Sequence, residues 1–325
     1  MSSRHSRTIL GAAVVCLGLL ACPVSASTEP FALIASARGK VEVVPTGGGD
    51  PLRASFGRPL ERGDKVVVGP DATATIYFSD GNVIELGEKS SVTVGGKVGA
   101  AAKVGPGAEL PGTVYASVSR SVTGGSRQTG LIAGSPLRGG PEQKPLLLAP
   151  RKCDVTTDRP AFTWRAVEGA ARYKVTLSGE EGERWSHETA APGLAYPADA
   201  APLARDGDYL WKVEAFSDRG RLREEETVFH VLSDDVSRTV STDLSRIRES
   251  AGGTDHSAAY FLAGSYLVGR GLYSEAVPHF EALSRLAPDS PAPHEALGNI
   301  YDAVGLSDLA ATEYQKALEL TKSQP

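Results

Sequence analysis

The residues best suited to chemistry are the six histidines, at 5, 187, 230, 256, 279 and 294, since imidazole serves both as metal ligand and as general base. Their spacing matches no metal site, because no two stand three or four residues apart on one helical turn. His294-Glu295 opens in the manner of a zinc-protease helix, but Gly298 occupies the place of the second histidine. No glycine-rich loop ends in Gly-Lys-Ser or Gly-Lys-Thr to cradle a phosphate. No Gly-x-Ser-x-Gly elbow presents a serine nucleophile. Carboxylates are plentiful, yet the run Glu224-Glu225-Glu226 reads as a solvated, aggregation-resistant strand edge. The candidates do not converge on a reaction, so no catalytic, cofactor-binding or metal-ligating residue is nominated. The expectation is a chain that is not an enzyme and needs no cofactor.

Other residue types invite binding rather than catalysis. Trp164, Trp185 and Trp211 could stack on sugars, but Trp164 and Trp211 fall on the inward faces of strand-like segments, where a core role is the better reading. Trp185, in Glu183-Arg184-Trp185-Ser186-His187, is the one expected to be more exposed. Arg62-Gly63-Asp64 spells an adhesion tripeptide, but Gly-Asp between two strand patterns is first a turn. The formal net charge is −5 and no long basic run occurs, so a nucleic-acid partner is disfavoured. These residues must be carried by two or three domains in a chain of 325 residues, and 36 glycines with 21 prolines suggest turn-rich β structure and linkers.

Residues 1–26 read as an export signal. Arg4, His5 and Arg7 precede an apolar or small-residue run, Ile9 to Cys22, of 14 residues, short of the roughly 20 a bilayer span takes. Val24-Ser25-Ala26 has the small-x-small character of a cleavage site. The competing reading is that Leu19-Leu20-Ala21-Cys22 resembles a bacterial lipobox, which would lipidate Cys22, although Pro23 is atypical there. Membrane association is expected only in that case. With ordinary cleavage both Cys16 and Cys22 are lost and only Cys153 remains, which excludes an internal disulfide.

From Phe31 to Val94 the pattern alternates with period two. Ala72, Ala74, Ile76 and Phe78 share one face, Thr73, Thr75 and Tyr77 the other, and Ser79-Asp80-Gly81-Asn82 turns the chain into Val83-Ile84-Glu85-Leu86. Gly39-Lys40-Val41-Glu42-Val43, then Leu60 to Val66 with Gly63-Asp64, then Asp80-Gly81 to Leu86, together resemble a FecR-type domain. The resemblance implies an all-β periplasmic module over 31–140 with its core at 31–94, extending through Gly112-Thr113-Val114-Tyr115-Ala116-Ser117-Val118 to Leu137-Arg138-Gly139. It does not imply the sigma-factor regulation known for that family, since only about eight residues precede the apolar run and no later run is long enough to span.

Residues 145–232 carry short alternating strands separated by Gly, Pro and Asp turns. Ala161 to Trp164, Tyr173 to Leu177, Tyr209 to Ala215 and Thr227 to Val231 are the clearest. Pro160-x-Phe162-x-Trp164 and Asp208-Tyr209-x-Trp211-x-Val213-x-Ala215 resemble a fibronectin type III domain, a β sandwich, with Tyr209 in the place of the corner tyrosine.

At Ser233 the period changes. Val236, Val240, Leu244 and Ile247 define one face of a helix over 233–250, with Ser233 or Asp234 as N-cap and Gly252-Gly253 as its end. Over 257–321, Tyr260, Gly264, Gly271, Ala276, Phe280 and Pro288 recur 34 residues later as His294, Gly298, Gly305, Ala310, Tyr314 and Lys322. Leu297, Tyr301 and Ala317 fill further positions of the second copy. This resembles two tetratricopeptide repeats, about 257–290 and 291–322, each a pair of antiparallel helices. Pro278 fits if Ser274 caps the second helix of the first repeat. Roughly three repeats usually bury a continuous core, so the 233–250 helix is expected to act as a third layer. Apolar surface on the last helix is then left for a partner or a second copy, as in a homodimer through the uncapped last repeat.

The fold class expected is therefore multidomain β plus α. The resemblances imply a non-enzymatic scaffold or adaptor of a bacterial cell envelope, in the periplasm or at the outer membrane. It would bind protein partners through the repeats and the β modules. The alternative is a signal-relay, surface-structure or glycan-binding subunit that works through the FecR-like domain.

Overall fold

A computed structural model describes residues 30–96, 102–103, 110–125, 144–250 and 256–323. The export signal with Cys16 and Cys22, the Leu137-Arg138-Gly139 segment and the Gly252-Gly253 helix stop lie outside the described residues. No described helix is long and apolar enough to cross a membrane.

The first β unit contains β1 (Ala32–Arg38), β2 (Val41–Val44), β3 (Leu52–Arg53), β4 (Pro59–Leu60), β5 (Lys65–Val68), β6 (Thr73–Phe78), β7 (Val83–Leu86), β8 (Ser91–Thr93) and β9 (Ala102–Lys103). They form two sheets, ordered β4-β1-β6-β7-β9 and β3-β2-β5-β8. Ala32, Ile34, Val43, Val66, Ile76 and Leu86 fill the space between the sheets. The β6–β7 hairpin pairs Ala74 with Leu86 and Tyr77 with Val83, as the alternating pattern requires.

The period-two reading made β6 half-buried, but Thr75 and Tyr77 on its second face are buried as well. The cause is the next element. Residues 112–125, read from sequence as an extension of the β domain, form a helix, α1 (Gly112–Gly125). Its Val114, Tyr115 and Val118 pack with Leu33, Tyr77 and Val83, so the first sheet is covered on both sides. The Tyr115 hydroxyl also donates to the Pro30 carbonyl. Small residues and β-branched valines obscure the helical period here, and tertiary packing overrides the weak local propensity.

The second β unit comprises β10 (Leu147–Ala149), β11 (Cys153–Val155), β12 (Ala161–Trp164), β13 (Arg172–Gly179), β14 (Gly182–Thr189), β15 (Gly193–Ala195), β16 (Gly207–Ser217) and β17 (Gly220–Val231). A three-stranded sheet, β10-β12-β15, faces a five-stranded sheet, β11-β17-β16-β13-β14. Tyr209, Trp211, Val213 and Ala215 alternate inward along β16 and meet Phe162, Trp164, Tyr173, Val175 and Leu177. Trp211 is fully buried, 5.0 Å from Phe162 between ring centroids, and its indole N–H donates to the Pro150 carbonyl at 2.7 Å. The Tyr209 hydroxyl donates to the Ala204 carbonyl at 3.2 Å and ties the chain back on itself. Trp185 is only half-buried, and it packs against Phe162, His187 and Tyr196.

Five helices follow among the described residues: α2 (Asp234–Ser250), α3 (His256–Gly269), α4 (Tyr273–Leu286), α5 (Ala292–Ala303) and α6 (Ser307–Ser323). Ser233 Oγ accepts the Val236 N–H at 3.4 Å at the start of α2. Val240 and Ile247 of α2 are buried against the hairpin α3–α4. Asp243, from the same helix, is also buried and accepts the Tyr266 hydroxyl at 2.7 Å. The burial and that bond push the Tyr266 phenol well above its ordinary range. The third layer on α3 is therefore shared: α2 supplies part of it, and α1, which the sequence pattern did not mark as a helix, supplies the rest. Ser274 is not a cap. Leu272 stands at the N-cap of α4 and Pro278 lies inside the helix, beyond the first turn.

Candidate functional site

The 34-residue recurrence has a geometric counterpart in the two hairpins. In the first, a β-carbon on Gly264 would stand 2.8 Å from the Phe280 ring; in the second, one on Gly298 would stand 2.5 Å from Tyr314. Each aromatic therefore lies in a notch that only glycine leaves open. Gly271 and Gly305, at φ of 78° and 77°, make the same left-handed turn between paired helices. Ala276 and Ala310 are buried where the second helix of each hairpin crosses the first. Leu297 and Ala317 are buried as well, while Tyr260 and Tyr301 pack half-buried against the helical core. The Tyr314 hydroxyl donates to Asn299 at 2.8 Å. Where the second copy departs from the first, His294 has its own partner, Glu313, at 2.6 Å. Nearly all of these positions build the hairpins; Pro288 alone among them lines an open cleft.

Two neighbours constrain what the hairpins can bind. On the α3 side stand α1 and the first β unit: Phe56 packs on Phe261 at 5.8 Å, and Arg120 donates to the Gly269 carbonyl at 2.8 Å. That face of the first hairpin is closed by the chain itself. Opposite the junction of the two hairpins, where α4 ends and α5 begins, the first β unit stands off and leaves a cleft of about 440 Å³. Arg38, Arg53 and Phe56 line one wall, and Leu286, Pro288 and Glu295 line the other.

At the other end the sandwich sits on the helix turns. Thr156 donates its N–H and hydroxyl to Glu275 at 2.6 and 2.9 Å, and Arg151 Nε donates to the Val304 carbonyl at 2.9 Å. Arg165 binds both carboxylate oxygens of Asp308 at 2.7 and 2.9 Å. Glu225, in the middle of the acidic run, accepts from Arg151 at 2.7 Å, so only Glu224 and Glu226 have the solvated character expected of all three. Burial alone would raise the Asp308 pKa, but the hydrogen bonds and charge of Arg165, with the charge of Lys144, hold it below its usual 3.8. A lowered folded-state pKa gives stability that is present above the unfolded value and lost as pH falls through the folded one. In urea titrations at successive pH values, Asp308→Asn should be less stable than the parent at neutral pH, and the gap should close as the solution is taken below about pH 4. A gap that stays constant into acid would remove the ion pair as its cause.

The outward face of α6 carries Thr312, Gln315, Lys316 and Glu319, with Leu318 as its exposed large apolar residue. Gln315 and Glu319 are bonded at 3.0 Å, and Lys316 and Glu313 at 2.7 Å. The last helix thus presents a mainly polar surface, with little of the apolar surface expected there. Among the described residues no group of three or more His, Cys, Asp or Glu side chains is placed to hold a metal ion.

The molecule defined by these features is a mixed protein of two β units and paired C-terminal helices. No family model matches the chain, and no curated protein matches it. Among solved structures it is similar to the human collagen alpha-1(XX) chain fibronectin domain, at 18% identity and a TM-score of 0.23, over 30% of this chain and 95% of that one. It is also similar to the FN1–FN3 domains of chicken CNTN1, at 11% identity and a TM-score of 0.20, over 62% of this chain and 57% of that one. The likeness is to fibronectin type III domains and is silent about function.

Proposed function

We infer that the chain is a non-enzymatic scaffold or adaptor of a bacterial cell envelope. It would bind protein partners through tetratricopeptide-like hairpins held between a FecR-like β unit and a fibronectin-like sandwich. The observation that carries this reading is the repeated notch, Gly264 with Phe280 and Gly298 with Tyr314, set 34 residues apart along the chain. Paired helices stacked in this manner expose helix faces and turns to other chains, which is how solenoid repeats bind. Here α1 and the first β unit fill the groove of the first hairpin, so the second hairpin and the cleft at the junction of α4 and α5 remain for a partner.

The character of the N-terminal segment supports a site of action outside the cytoplasm, reached by cleavage after Ala26 or by lipidation at Cys22. Crosslinking in intact cells, followed by mass spectrometry of what is attached to residues 257–321, tests the reading. One protein partner should be recovered through the second hairpin, and the mature chain should begin at Ser27, or at Cys22 where that residue carries the lipid. A mature chain that retains Met1 and resides in the cytoplasm would overturn the envelope assignment. Crosslinks confined to residues 31–94, with cell-wall glycan attached, would favour the glycan-binding alternative instead.

A further inference from the structure

The first hairpin carries a histidine where the second carries a carboxylate. His279 of α4 stands against the Tyr260 ring of α3, with 6.0 Å between ring centroids. The residues 34 further on, Glu313 and His294, face each other across the second hairpin at 2.6 Å. The two pairs differ in what a proton would meet. Burial would raise the Glu313 carboxyl, but hydrogen bonds from Lys316 and His294 hold it below its ordinary 4.5. A charge taken up by His294 therefore lands beside an anion. His279 has no such partner: its Nδ1 is buried and makes no hydrogen bond. Burial, and then the positive charge of Arg248 in the last turn of α2, keep this imidazole below its ordinary 6.5. The carboxylates of the surrounding helices are engaged elsewhere. Glu275, one turn earlier on α4, accepts from Thr156 of the sandwich, and Asp243 of α2 accepts from Tyr266 with Arg246 at 3.7 Å. Glu249, beside Arg248 in the chain, is exposed.

We propose that His279 is a proton-operated latch between the first hairpin and α2: mild acid charges the imidazole beside Arg248, and α2 lets go of the hairpin. Val240 and Ile247 hold α2 there by apolar contact, and two like charges at its last turn work against that contact. A cation buried without an acceptor is costly, so the hairpin loosens rather than keep it. A histidine whose folded-state pKa is lowered gives stability that is present above the unfolded value and lost as pH falls below about 6.5. Glu275 acts with the opposite sign, since burial raises its carboxyl and it adds stability as the solution turns acid. The second hairpin keeps its packing over the same range, because Glu313 receives the charge of His294. The latch stands independently of the scaffold reading. It adds a condition, mild acid, under which apolar surface of α2 and the first hairpin is uncovered.

The test uses the full mature chain between about pH 7.5 and about pH 5, with two readouts: NMR of the histidine rings, and amide hydrogen exchange corrected for its intrinsic pH dependence. The His279 resonance, assigned by its loss in His279→Phe, should titrate below 6.5. Exchange along α2 from Val240 to Ile247 should quicken by about tenfold or more in acid, while α5 and α6 hold their protection. His279→Phe keeps a ring against Tyr260 and removes the proton site, so the response of α2 should vanish. Arg248→Glu places an acceptor beside the imidazole, so His279 should titrate higher and α2 should stay protected in acid. Residue 248 is exposed, so that variant keeps the core intact and tests the latch even if His279→Phe fails to fold. His294→Gln should leave the response of α2 as it is in the parent. A His279 titration at or above 6.5, or an α2 that exchanges alike at both pH values, overturns the proposal. So does a response that persists in His279→Phe, a His279 titration unmoved by Arg248→Glu, or a response abolished by His294→Gln.

Discussion

Replacing Trp211 with alanine should cost the sandwich about 3–5 kcal/mol, the range for emptying a large aromatic from a core. The side chain is fully buried and lies among Phe162, Trp164 and Tyr173, so the rings around it lose their packing partner at once. Its indole N–H is also the donor that satisfies the Pro150 carbonyl, which the variant leaves without that bond. The sheet cannot collapse to fill the space, because β16 is held at its neighbours by β13 and β17 along most of its length. Trp211→Phe should recover most of the packing and lose the hydrogen bond, so its cost should fall between that of alanine and zero. Chemical denaturation of the three proteins, followed by circular dichroism, checks the order. A loss below about 1 kcal/mol for alanine would mean that the sandwich core is not assembled around this ring.

Gly269→Ala should destabilise the chain by about 2–3 kcal/mol, opposite in sign to the ordinary effect of that substitution near a helix end. Gly269 closes α3, and a β-carbon there would fall well inside van der Waals contact with the Ser117 carbonyl of α1. The obstacle is backbone rather than a flexible side chain, so relief requires α1 and α3 to separate. Separation would expose Val114, Tyr115 and Val118 and strain the contact between Arg120 and the Gly269 carbonyl. Because α1 also covers Leu33 and Tyr77, the first β unit should loosen together with the helical region. Hydrogen exchange would register the change as lost protection in both α1 and β6. A stabilised Gly269→Ala protein would show that α1 does not rest on α3 in solution.

Local periodicities, and the elements they define, were carried by the sequence by itself. Tyr209, Trp211, Val213 and Ala215 alternate because every second side chain of a strand faces the same way, and their number marks a sheet with one buried face. The 34-residue recurrence from Gly264 to Gly298, and from Phe280 to Tyr314, is legible because a notch and the ring that fills it belong to one compact hairpin. Contacts made between units leave no such trace. Nothing near residue 112 announces that α1 will be a helix, since its valines and serines have weak helical preference and its stability comes from Tyr77 on one side and Phe261 on the other. Likewise Arg165 and Asp308 stand 143 residues apart, and Arg38 and Glu295 reach one cleft from separate units; neither pair lies in a motif. The sequence determined the strands of the sandwich and the period of the hairpins, because those depend on neighbours within a few turns or strands. Tertiary structure alone decided that α1 closes the first hairpin, that the sandwich rests on the helix turns, and where a cleft stays open. Each of these depends on surfaces meeting across long stretches of chain, where burial outweighs local preference.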